Sequence, residues 1–175
     1  MGTGAIILTD EDRRLVGLWA ADCVERALPL FGEKASSDPR PRAAVEGIRA
    51  FGRGGMRKAE CRSLALAALR AARDVGDPAA AAAARAAGYA AASPFMHPLA
   101  SLDQAKHLLA PAVYAALAQE LAAGGDPQVG DAETRWAVEH AGLAVRDVAR
   151  RMPARERGRT RLSVLYHLLD ASLRG

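Results

Sequence analysis

A chain of 175 residues with a net charge of +4 and a pI near 9.5 fits one domain, and a domain of that length hides roughly 70% of its unfolded surface. Half of the residues are hydrophobic but only 5% are aromatic; alanine dominates and β-branched residues are scarce, which excludes a sheet-rich fold and favours closely packed helices. No apolar run reaches the ~18 residues of a membrane span, the run 6–8 is too short for a secretory signal, and Cys23 and Cys61 lie in apolar helical contexts, so a cytoplasmic protein with reduced thiols is expected.

Residues 1–8 read as a flexible start. Thr9 and Asp12 have the spacing of a capping box, and Asp10, Glu11 and Asp12 suit the positive end of a helix dipole, so the first helix begins at Asp10. Leu15, Trp19, Cys23 and Ala27 form its apolar stripe, until Pro29 ends or bends it. Asp38 and Pro39 read as N-cap and first residue of a second helix, which carries Val45, Ile48 and Phe51 to a stop at Gly52. A third helix over 58–75 turns Cys61, Leu64, Ala68, Ala72 and Val75 inward and stops at Gly76. Asp77 and Pro78 open a fourth over 79–92, almost pure alanine, which is predicted to sit near the middle of a bundle because other backbones can approach it closely.

The fifth helix, 102–121, is the most distinctive. Ser101 and Gln104 are spaced as a capping box, and Leu102, Ala105, Leu109, Ala112 and Ala116 recur at helical steps as one apolar face. Pro111 lies inside the pattern with no N–H for the carbonyl of His107, which predicts a kink. Asp103, His107 and Tyr114 fall on another flank, with His97 just upstream. The plain reading is an ordinary i,i+4 pair beside an interface aromatic. The sharper one makes His107 a general base oriented by Asp103 in a cleft at the kink. About 15 Å of straight helix would separate His97 from His107, so only a break at Pro98 would let them share a metal.

A sixth helix over 132–151 buries Trp136, Leu143, Val145 and Val148 and closes at Pro153. A seventh over 160–173 has a ridge of Leu162, Leu165, Leu168, Leu169 and Leu173. Asp-Pro pairs at 38, 77 and 126 raise a repeat of helix pairs, but their spacing is unequal and the residues between them do not repeat. The fold class is therefore all-α: a single compact bundle of about seven helices over 1–175, with a central alanine-rich helix and a proline-kinked fifth helix.

No phosphate loop, GxGxxG, HExxH or CxxC occurs, so no catalytic residue, metal ligand or cofactor is assigned. Arg150, Arg151, Arg155, Arg157, Arg159 and Arg161 surround one loop and are candidates for binding anions such as nucleic-acid phosphates. No aromatic is interleaved for base stacking, so a solvated loop that complements a helix C-terminus is preferred.

Three stretches carry a resemblance: IILTDEDRRLVGLWAADCVERALPLF at 6–31, RPRAAVEGIRAF at 40–51 and SPFMHPLASLDQAKHLLAPAVYAALAQELAAG at 93–124. The third is the most specific, through His97-Pro98-Leu99 and through Gln104, His107 and Leu109. These resemble the immunity-five-like family of putative immunity proteins. The resemblance implies an all-helical, non-enzymatic cytoplasmic protein that protects a producing cell by binding a cognate protein toxin. It transfers no functional residue. A pI near 9.5 argues against a basic nuclease as that toxin, because complementary charge favours capture. The alternative is a basic helical nucleic-acid-binding or regulatory protein, and a homodimer is compatible with either.

Overall fold

The computed structural model describes residues 4–175, in which nine α-helices and one 3-10 turn follow one another and no strand forms. The helices are α1 (Asp10–Glu25), α2 (Leu28–Lys34), α3 (Arg40–Gly52), α4 (Lys58–Asp74) and α5 (Pro78–Ala92). The 3-10 turn Ser93–Phe95 leads to α6 (Leu102–Ala122), α7 (Pro127–Glu139), α8 (Leu143–Arg151) and α9 (Arg161–Arg174).

Side-chain caps set most of the starts. Thr9 and Asp12 exchange both bonds of the box at α1, each 3.0 Å long. Asp77, Asp126 and Thr160 accept from the backbone of α5, α7 and α9. At α6 only half of the expected box forms: Ser101 accepts from the N–H of Gln104, but the Gln104 side chain turns away and accepts from the N–H of His97 at 2.6 Å.

The seven expected helices become nine because two of them are broken. The first ends at Glu25, and Leu28 starts α2 with Pro29 in its first turn, where a missing N–H costs nothing. The sixth is interrupted at 140–142. There the His140 ring lies 2.7 Å from the Trp136 carbonyl and Arg146 donates to the carbonyls of Val138 and Ala141, closing α7, while Gly142 leads into α8. Leu143 is consequently exposed; in the expected first stripe Trp19 and Cys23 of α1 and Ala27 just beyond it are buried, but Leu15 lies outside and Val16, Ala20 and Val24 are buried beside them. Pro111 lies inside α6, which continues through it as one 21-residue helix.

Helix α5 is central, packed against α1, α2, α3, α4 and α6, and its alanines are almost all buried. One apolar cluster gathers α1 to α5 around these alanines with Ile48 and Phe51; a second joins α1, α6, α7, α8 and α9 around Trp19, Leu109, Leu165 and Leu169. Tyr114 and Leu117 of α6 pack against both. Cys23 and Cys61 are buried free thiols in different clusters.

Polar pins hold the second half. Buried Glu120 receives the guanidinium of Arg161 at 2.7 Å, and Arg161 also reaches Asp131 and the Pro127 carbonyl, tying α6, α7 and α9 together. Buried Asp170 accepts from the Arg155 N–H at 2.8 Å and from Arg174 at 3.0 Å.

The expected flexible start reads differently. Residues 1–3 lie outside the described residues, but the Ile6 N–H donates to the Pro98 carbonyl, the Ala100 N–H donates to the Gly4 carbonyl, and Leu8 is buried.

Candidate functional site

The histidines predicted to matter lie at the start of α6. His97 is exposed in the connection before it, Asp103 is exposed in its first turn, and His107 is half-buried one turn further on. Among the described residues no carboxylate comes within ion-pair distance of His107, so Asp103 does not orient it as a general base requires. Burial holds the His107 imidazole below its ordinary range; Lys106 and His97 push the same way and Asp103 opposes them.

Tyr114 belongs to a different group. Its ring lies 5.2 Å from that of Tyr89 on α5, and burial raises its hydroxyl above the usual phenol range. Tyr166 of α9 joins them with its hydroxyl buried, without a hydrogen-bond partner, and likewise pushed up by burial. The structure thus separates the predicted quartet: His97, Asp103 and His107 remain near the start of α6, while Tyr114 enters an aromatic group between α5, α6 and α9. The partners Tyr89 and Tyr166 were not singled out from sequence, since only the fold brings them to Tyr114.

The six arginines also part company. Arg150 pairs with Asp147 at 3.1 Å, and Arg161 is committed to Glu120 and Asp131. Arg151 spans from the Ile7 carbonyl at 2.8 Å to Asp12 at 3.2 Å. Arg155 lies over the Tyr166 ring, 4.6 Å from its centroid, and donates to the Leu102 carbonyl. Only Arg157 and Arg159 are exposed with no ion-pair partner among the described residues.

These anchors turn the loop after α8 into a strap across α9 and against α6. His167 contributes through Nδ1, 2.8 Å from the Arg155 carbonyl, and Arg174 through a bond to the Met152 carbonyl. Between the strap and the first turn of α6 lies an open groove of about 1090 Å³, lined by Leu102, Asp103, Arg151, Pro153, Arg155 and Glu156 among others. A smaller hollow beside it is lined by Ile6, Ile7 and again Arg151. Sequence reasoning missed the groove, because its two walls are far apart in the chain and its signal, the exposed leucine at position 102, was read as core.

Among the described residues, no group of three or more His, Cys, Asp or Glu is placed to hold a metal ion, and no helix is long and apolar enough to cross a membrane.

No curated protein and no solved structure matches this chain. The family described as Imm-5 like putative immunity protein matches residues 7–144, which takes in α1 to α7 and the first wall of the groove but not the strap. Since this match spans most of the sequence and the all-helical architecture agrees with what the resemblance implied, the chain belongs to the family described as Imm-5 like putative immunity protein.

Proposed function

We propose that this protein is a non-enzymatic immunity protein that neutralises a cognate toxin by binding it. The observation that carries the proposal is the family match over residues 7–144. Two features accord with it. The candidate catalytic pair of Asp103 and His107 is unpaired, and no carboxylate orients the imidazole. The outside of the helical body, by contrast, offers a groove with exposed leucine and isoleucine in and beside it. In this reading the chain works as one folding unit in the cytoplasm, and the basic surface selects against a strongly basic toxin.

The test is co-expression with the toxin-like product of the neighbouring gene. Survival of cells that carry both genes, together with co-purification of the two proteins, is expected. Absence of both protection and capture removes the reading.

The nucleic-acid alternative rests on Arg157 and Arg159, the members of the arginine group that remain unpaired. It predicts duplex binding at low salt that weakens steeply as salt rises; no binding at low salt eliminates it.

A further inference from the structure

Single exposed leucines are ordinary on any protein surface, but a contiguous apolar patch beside unpaired charge marks a place where something docks. Seven large hydrophobic residues are exposed among the described residues, and three of them collect at one end of the molecule: Ile7 at 76%, Leu102 at 53% and Leu99 at 41%. Their proximity is fixed by backbone. Ala5 pairs with Leu99 across an isolated bridge, Arg151 holds the Ile7 carbonyl, and Arg151 and Leu102 line the same groove.

We propose that the groove between the start of α6 and the strap at 152–156 is the docking surface for an acidic segment of a protein partner, one that inserts leucine-like side chains between its carboxylates. Identifying that partner as the toxin rests on the function proposed above; the chemistry of the groove does not. The apolar floor is Leu102, Pro153 and the adjoining Ile7. Arg151, held by the Ile7 carbonyl and by Asp12, and Arg155, held by the Leu102 carbonyl, form walls whose guanidinium groups are already oriented, so they need not be ordered on binding. Beyond Glu156 the strap continues into Arg157 and Arg159, which no acid neutralises among the described residues. Counting Asp12, which pairs with Arg151, four arginines stand against three acids, Asp12, Asp103 and Glu156, so the positive surplus comes from Arg157 and Arg159, next along the strap from the lining residue Glu156. That surplus steers an acidic partner in, while the apolar floor supplies the burial that holds it.

Nucleic acid is the poorer occupant. Phosphates gain nothing from isoleucine and leucine, two of the arginines are engaged internally, and the aromatic ring at the site, Tyr166, is buried beneath Arg155 and unavailable to a base.

The experiment uses the full chain and a fluorescently labelled short peptide of alternating Glu and Leu, read by anisotropy. Control peptides carry Lys for Glu or Ser for Leu, and a short DNA duplex is the competitor. The variants are Ile7→Ser with Leu102→Ser for the floor and Arg157→Glu with Arg159→Glu for the rim. Leu121→Ser, at the opposite end of α6 and roughly 28 Å away, is the control for a lost exposed leucine. All altered side chains are exposed, and circular dichroism checks that the fold persists.

Selective binding of the Glu–Leu peptide, weakened roughly tenfold or more by the floor and rim changes, by salt and by either control peptide but not by Leu121→Ser, is expected. Failure of this peptide to bind, equal binding of the Lys peptide, displacement by DNA at physiological salt, or a dimer that the floor variant dissolves would each overturn the proposal. A toxin-like product of a neighbouring gene, used as the second probe, separates the two readings. Equal capture by wild type and both groove variants sinks the groove and leaves the immunity function standing. No capture by wild type, with peptide selectivity intact, does the reverse.

Discussion

Tyr166 shows how a single side chain can be at odds with its surroundings. It is 3% exposed, and its hydroxyl meets no protein donor or acceptor. An unmatched buried hydroxyl forfeits hydration without recompense, a penalty of about 1–3 kcal/mol. Tyr166→Phe keeps the ring beneath Arg155 and removes the unmatched atom, so the variant should be at least as stable as the parent and up to about 2 kcal/mol more so in urea unfolding. A loss of stability would show that the hydroxyl makes a bond the fold depends on. His107 gives a second residue-scale test. Its imidazole sits below the ordinary value of 6.5, chiefly through burial and then through Lys106. Below that value the unfolded chain takes up a proton that the folded chain resists, so the contribution of His107 is present above pH 6.5 and is lost as pH falls toward the folded value. Urea unfolding of wild type and His107→Gln at neutral pH and near pH 5 should show the wild type losing more stability on acidification. Parallel losses would mean that the imidazole titrates as if exposed.

At the scale of elements, close approach matters more than side-chain bulk. Gly88 of α5 faces α4, and a Cβ built there would stand 2.7 Å from Leu69 Cγ and 3.2 Å from the Ala65 carbonyl. Alanine at this site improves helix propensity by about 1 kcal/mol, but overpacking a tight crossing costs about 1–3 kcal/mol, so Gly88→Ala should be neutral to destabilising. Gly32 in α2 has no heavy atom within 4 Å of the same construction, and Gly32→Ala should stabilise. Thermal melts of the two variants side by side decide it; a stabilised Gly88→Ala would show that α4 and α5 are less tightly apposed. The same logic explains what the sequence disclosed. Helix starts at Asp10 and Leu102 were legible because a cap is a local signal, and the alanine run of α5 announced its central place. The break before Leu28 was announced by Pro29, but the short helix that follows it was not; α2 sets Leu28 and Phe31 into the core, which only tertiary packing specifies. The break at 140–142 also contained a signal, Gly142, but the apolar periodicity ran on through it. The candidate site suffered in the same way. His97, Asp103 and His107 could be placed on α6 from spacing alone, whereas the acids that occupy the arginines, at positions 12, 120 and 131, lie far away in the chain.

Whether the molecule behaves as one body depends on α6. The helix lies between the two apolar clusters, Tyr114 and Leu117 touch both, and its C-terminal end is pinned to α7 and α9 through Glu120 and Arg161. Opening either cluster strips contacts from the same helix, so the halves should not unfold separately. The probes are well placed to tell. Trp19 and Trp136 both report on the second cluster, Trp19 through a hydrogen bond from its ring N–H to the Ala137 carbonyl at 2.9 Å, whereas far-ultraviolet circular dichroism reports on all nine described helices. Coincident urea curves from fluorescence and dichroism are expected, with one midpoint. Arg161→Met should move both curves together to lower urea, because it leaves the Glu120 carboxylate buried without its partner, a loss of about 3 kcal/mol. If fluorescence fell first in this variant while most helical signal persisted, the α1–α5 half would be folding on its own terms, and α6 would be an edge between two units instead of their common core.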